Sequence, residues 1–197
     1  MIVFSVLRSG GDYTEKHAEK LYQMCKQHIP GADFVCLTNM NPDCPHERLQ
    51  NKWPGWWSKM EIFDQIGECL YFDLDTIIRA DCWEWIENIR GSDFAILRDV
   101  YRGQRDPNAM QSSIMYWDGD MGWLYDQFAD NPDFTHPHGD QGYIQENVKN
   151  PVFIQDRTDL VVSYKADIQD KRMNPETKSV IFFHGKPRPW DQSDVIY

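Results

Sequence analysis

The chain has 197 residues, a formal net charge of −11 and 14% aromatic residues, with eight tryptophans. This length suits one domain, residues 1–197, with a sizeable core. The acidic balance excludes a broad electrostatic pull toward nucleic acid or anionic membrane, and no apolar run reaches membrane-spanning length.

Residues 2–7 read as a short apolar strand, followed by the turn cluster Ser9-Gly10-Gly11-Asp12. Asp12 with Glu15 forms a capping-box signal. Ala18, Leu21, Tyr22, Cys25 and Ile29 then recur at helical spacing until Pro30-Gly31. A second strand covers 34–37, so the chain opens strand-helix-strand, which predicts an α/β fold with a mostly parallel sheet. Residues 38–54 read as loop and 56–66 as a helix with Trp57, Met60 and Phe63 on one side. Further strands are expected at 69–72, 94–97, 113–117 and 180–183, with short ones at 152–154 and 160–162. Helices are expected at 82–89, along Met121, Leu124, Tyr125 and Phe128, and at 140–148. Residues 99–110 are polar, basic and turn-rich, the pattern of a surface loop that can move.

The five cysteines, at 25, 36, 44, 69 and 82, include no C-x-x-C pair and fit no zinc spacing, so they read as reduced intracellular thiols. The opening residues have neither a charged lead nor an apolar signal core, so no secretory signal is expected.

The strand at 69–72 ends in Asp73-Leu74-Asp75. Side chains two apart on extended backbone point the same way, so the two carboxylates should leave the strand side by side. Like charges that close are costly unless something positive sits between them, and a divalent cation is the usual remedy. Two solvated loop acids would explain the triplet as well. The rest of a site must come from elsewhere in the chain.

Four segments supply candidates: Gly55-Trp-Trp-Ser-Lys59-Met, Tyr71-Phe-Asp-Leu-Asp-Thr76, Gly139-Asp-Gln141 and Phe183-His-Gly-Lys-Pro-Arg-Pro-Trp190. In this order they resemble the GT-A glycosyltransferases, and within them the glycogenin-like family 8 type and its small bacterial and phage relatives. The resemblance implies a Rossmann-like nucleotide-diphospho-sugar transferase fold. It implies Asp73, Asp75 and His184 as metal ligands, a mixed oxygen and nitrogen set that suits Mn²⁺, with Mg²⁺ as the second choice. It implies that Arg188, Lys186 and Gly185 meet the donor diphosphate. Lys59 and Leu74 would also contact the donor, and Arg8 and Tyr13 its nucleoside, Tyr13 by stacking on the base. Asp140 and Gln141 would sit at the transferred sugar as the catalytic pair. After His184 this chain has a shorter gap than the family pattern, and Arg188 in place of lysine before the final Pro-Trp.

The implied activity is metal-dependent transfer of a sugar, most often from a UDP-sugar, to an acceptor hydroxyl with retention. The acceptor stays open among a glycan, a lipid-linked sugar, a protein side chain and a modified nucleobase, as does the oligomeric state. The implied location is the cytoplasm, or a host's cytoplasm if the gene is phage-borne. Simpler readings compete at several positions: Asp140 as a helix cap, Lys59 as a solvated side chain, Trp56 and Trp57 as core, and Arg102 and Arg105 as a solvated face. Two other functions compete. Phe72-Asp-Leu-Asp-Thr is similar to the nucleophile loop of haloacid-dehalogenase phosphatases, but it has Ile77 where that loop needs Thr or Val. A non-catalytic nucleotide-sugar binding protein is the other.

Overall fold

The computed structural model describes residues 1–192. A seven-stranded sheet forms the centre, in the order β3-β2-β1-β4-β7-β6-β8. Its strands are β1 (Ile2–Leu7), β2 (Asp33–Thr38), β3 (His46–Arg48), β4 (Ile66–Phe72), β6 (Phe94–Arg98), β7 (Met110–Asp120) and β8 (Val152–Phe153). β3, β2, β1 and β4 run parallel, β7 is antiparallel to both of its neighbours, and β8 is parallel to β6. A three-stranded sheet holds β5 (Ile77–Ile78), β10 (Val180–Phe182) and β9 (Val161–Ser163), in the order β5-β10-β9.

Strand alternation divides the core between the two faces of the large sheet. On β4, Leu70 and Phe72 join one cluster with Leu21, Cys25 and Trp85. Cys69 and Tyr71 join the opposite one with Trp57, Met60, Phe63 and Trp117. The first cluster lies under α1 (Glu15–His28) and α2 (Trp83–Glu87). The second lies under α3 (Gly122–Asp130), α4 (Gly139–Asn147) and a 3₁₀ segment, Gly55–Asp64.

Some expected elements change form. Residues 55–64 make a 3₁₀ helix, not an α-helix. Trp57, Met60 and Phe63 repeat every three residues, and three per turn aligns them into one buried row. Helix α1 starts later than Asp12. Its N-cap is Thr14, whose backbone N–H donates to Nδ1 of His17 at 2.9 Å, so Thr14 and His17 replace Asp12 and Glu15 at this end. The 38–54 stretch contains the exposed edge strand β3. Residues 99–110 are tied down internally. Asp99 accepts from the Arg102 backbone N–H and from its Nε, both at 2.8 Å, and Arg102 also donates to the Met110 carbonyl. Arg102 is therefore part of the loop's own frame and not a solvated face. Among the described residues, no helix is long and apolar enough to cross a membrane.

Candidate active site

A cleft of about 750 Å³ opens where β1 and β4 end and β7 begins, bounded by the turn before α4 and by residues 183–188. It is lined by Arg8, Tyr13, Lys59, Asp73, Leu74, Asp75, Asp140, Gln141, His184, Gly185 and Arg188. Of the residues to which the family resemblance gives a role, only Lys186 is absent from this lining. The Leu74 side chain itself packs into the core.

β4 stops at Phe72, and Asp73 begins a turn in which Thr76 N–H donates to the Asp73 carbonyl at 3.0 Å. The two carboxylates are then held by different cations. Asp73 Oδ1 accepts from Tyr71 OH at 2.6 Å and pairs with Lys59 Nζ at 2.9 Å. Asp75 Oδ2 accepts from Tyr13 OH at 2.8 Å and pairs with Arg188. Burial, with the Asp73 charge beside it, pushes the Asp75 pKa up to about 6, against the opposing pull of Tyr13 and Arg188.

Lys59 is buried, at 5% exposure, so the expectation of a solvated side chain fails. Its ammonium lies 3.1 Å from Asp140 Oδ2 and donates to Ser112 Oγ at 3.0 Å. Burial works to lower its pKa, but Asp140 and Asp73 outweigh burial and hold it above the ordinary lysine value. Ser112 in turn donates to Asp140 Oδ2 at 2.7 Å. Asp140 therefore does not cap α4, whose N-cap is His138. Gln141 next to it faces the cleft and has no side-chain hydrogen bond among the described residues.

Tyr13 lines the cleft with its ring already in contact with two other side chains. The Arg188 guanidinium lies over its ring at 5.1 Å, and Trp190 meets it edge-on at 5.8 Å. Burial, then Asp75, hold its hydroxyl protonated far above the usual tyrosine range. Arg8 donates to the Asn51 carbonyl at 3.2 Å. His184 Nε2 lies 2.9 Å from Ser163 Oγ, and burial aided by Lys165 lowers its pKa, which keeps it neutral.

The acidic pair fits a divalent cation. On each carboxylate one oxygen is taken and the other accepts no side-chain hydrogen bond among the described residues. One or two carboxylates completed by substrate phosphates is how magnesium-like sites are commonly built. His184 shares the cleft but turns to Ser163. Among the described residues, no three His, Cys, Asp or Glu side chains converge as a metal site.

Sequence reasoning missed Ser112 and Trp56 as parts of this site. Ser112 had a signal, since Gln111-Ser112-Ser113 is a polar triplet opening an otherwise apolar strand. Trp57 is core, as expected, but Trp56 is 64% exposed and lines the cleft. Gly139 has φ +61, and a Cβ there would lie 2.7 Å from Trp56 Nε1, so this glycine lets the indole reach the start of α4.

A strand-helix-strand half, an acidic turn ending the fourth strand and a returning C-terminal segment make up the fold of the GT-A glycosyltransferases. The sequence matches no protein-family model and no curated protein. Solved structures carry the likeness. The galactosyltransferase LgtC, in complex with donor and acceptor sugar analogues, superposes with a TM-score of 0.66 at 11% identity, over 99% of this chain and 91% of that one. The glycosyltransferase GlyE of Streptococcus pneumoniae TIGR4 reaches 0.70 at 13% identity, over 98% of this chain and 57% of its own. A glycosyltransferase involved in glycosylation of the major capsid of PBCV-1 reaches 0.59 at 11% identity, over 91% of each chain. At these identities the likeness establishes the fold. It adds no support to the phosphatase alternative.

Proposed function

We propose that this chain is a metal-dependent, retaining glycosyltransferase that uses a nucleotide diphosphate sugar, a UDP-hexose first among candidates. One observation carries the reading. Two of the cleft's acids, Asp73 and Asp75, and one of its basic residues, Arg188, 113 residues beyond Asp75, meet beside Asp140 and Gln141 in a single cleft.

In this reading Asp73 and Asp75 hold the cation, for which Mn²⁺ is the first candidate. A bound cation supplies charge stabilisation for the leaving nucleoside diphosphate. Arg188 leaves Asp75 for the donor diphosphate, whose oxygens a guanidinium binds two at a time. Lys59 fixes Asp73 and Asp140 in one rigid unit, so the acidic groups enter the reaction already oriented. Gln141 keeps its amide for the sugar near the anomeric carbon. The anomeric carbon–phosphate oxygen bond breaks, a bond to the acceptor oxygen forms on the same face, and the acceptor's proton passes to the leaving phosphate oxygen. No separate base is needed.

The test is release of UDP from a panel of UDP-hexoses with and without Mn²⁺. Manganese-dependent release that Asp75→Asn abolishes is expected. Undiminished turnover by that variant removes the metal from the reading, and no turnover or binding of any nucleotide sugar removes the reading itself.

A further inference from the structure

A second cavity, of about 640 Å³, adjoins the cleft and shares its His136–His138 wall. Helix α4 serves both. Asp140 and Gln141 face the cleft, and Gly142, Gln145 and Glu146 line the neighbouring cavity. We infer that this cavity is the acceptor subsite and that it takes a saccharide. The inference rests on the transferase reading for the word acceptor, but not for the ligand class.

The cavity is built on a fixed frame. Gln145 Oε1 accepts from Arg102 Nη1 at 3.3 Å and from the Met110 N–H at 3.2 Å, and its Nε2 donates to Asp106 at 3.0 Å. These bonds clamp residues 99–110 to α4. A Cβ at Gly142 would fall 2.2 Å from the His136 ring, so this glycine lets the histidine wall lie directly on the helix. His136 Nε2 is fixed at 2.9 Å from Glu146.

The groups left over define the ligand. Arg105 is exposed and its guanidinium has no partner among the described residues. The Tyr101 ring is 46% exposed and stands edge-on to His184, with centroids 5.4 Å apart, so it lies at the border of the two cavities. Glu146 adds an acceptor through its second carboxylate oxygen, and His138 adds a group of either kind.

Sugar hydroxyls both donate and accept, and one face of a pyranose is a row of C–H groups that an aromatic ring covers. Donors, acceptors and an open tyrosine in one cavity match that chemistry. Other acceptors match less well. A lipid chain needs a wall of aliphatic side chains, and of the residues lining this cavity only Ala109 supplies one. A nucleic acid needs a row of free cations along its phosphates. Here Arg102 is consumed by the frame, and Arg105 shares the cavity with two carboxylates. A serine side chain is too small to use a cavity of this size.

Binding is read first without turnover, by saturation-transfer difference NMR. The probes are maltose, cellobiose and the methyl glycosides of glucose, galactose and mannose. At least one is expected to bind the native protein, with affinity reduced tenfold or more in Arg105→Ala and in Tyr101→Ala. With a UDP-hexose and Mn²⁺, Arg105→Ala should raise the KM for that saccharide tenfold and leave the KM for the donor unmoved. Arg105 is exposed, so its variant keeps the test sound if Tyr101→Ala folds poorly. No binding by any probe, or binding unaffected in Arg105→Ala, overturns the subsite, as does transfer only to a peptide or an oligonucleotide. Saccharide binding without donor turnover keeps the subsite and removes the transferase reading. Donor turnover without saccharide binding does the reverse.

Discussion

Arg188 closes its guanidinium on the carboxylate of Asp75 from 113 residues further along the chain. Asp75 is 3% exposed, and an ionised carboxylate so buried is stable only with a partner. Arg188 is thus the resident counter-charge at the place where the proposed reading puts a divalent cation. Arg188→Ala should lower the stability of the ligand-free protein by about 1–3 kcal/mol, below the range for a fully buried pair because Tyr13 still donates to Asp75. Mn²⁺ should then raise the melting temperature of the variant more than that of the native protein, since it binds the folded state where the guanidinium was. Equal shifts in the two proteins, read by differential scanning fluorimetry, would exclude this exchange.

Lys59 has the opposite dependence. Its ammonium serves Asp73 at 2.9 Å and Asp140 at 3.1 Å, and no other cation reaches either carboxylate among the described residues. Lys59→Met preserves the stem volume and leaves two acids facing one another. The expected loss is about 3–5 kcal/mol, the range for removing one partner of a buried pair. Adding Asp140→Asn to that variant should recover part of the loss by removing one of the two charges. Urea denaturation of the single and double variants measures the coupling, and strictly additive changes would contradict the shared role of Lys59.

Much of this arrangement was legible because it follows from local rules. The apolar run ending at Phe72 marks a buried strand, and the Pro30-Gly31 stop marks the end of α1. The acid pair in one segment and the His184–Arg188 run in another were visible as chemistry in need of partners. What joins them was not visible. A lysine on a helical segment reads as solvated. Lys59 is buried only because Asp73 and Asp140 arrive from two other segments, and a one-dimensional pattern carries no trace of that. Likewise nothing in the sequence says that the Tyr13 ring meets Arg188 and Trp190 while its hydroxyl donates to Asp75. The 3₁₀ form of residues 55–64 was legible in principle, since a strict three-residue repeat of large apolar groups suits three residues per turn better than 3.6.

Gln141 offers a separation of fold from function. It lines the cleft beside Asp140 and its amide makes no hydrogen bond among the described residues, so folding has little use for it. Gln141→Ala should stay within about 0.5 kcal/mol of the native protein in urea denaturation, as surface substitutions do. If the amide orients the transferred sugar, the same variant should lose about a hundredfold in the rate of sugar transfer, with nucleoside diphosphate affinity retained. A variant that transfers at the native rate would remove Gln141 from the reaction.

Acid should release the 99–110 loop before it unfolds the domain. The Asp99 carboxylate is partly buried, which alone would raise its pKa, but the Arg102 backbone and side chain and the Tyr101 N–H hold it below the usual aspartate range. The folded-state value lies below the unfolded one. The stabilisation is therefore fully present above the ordinary aspartate pKa of about 4, and it fades as pH falls through the lowered folded value. Arg102–Gln104 and the residues up to Met110 then lose the acceptor that organises them. The Tyr101 and Arg102 amides should lose their protection against exchange, relative to an unstructured chain at the same pH, below about pH 4, while the β4 core strand keeps its own. Asp99→Asn should reproduce the loss of protection at pH 7, because an amide oxygen accepts the same bonds without the charge that strengthens them. If loop and core amides exchange together at every pH, the carboxylate is not what holds the loop.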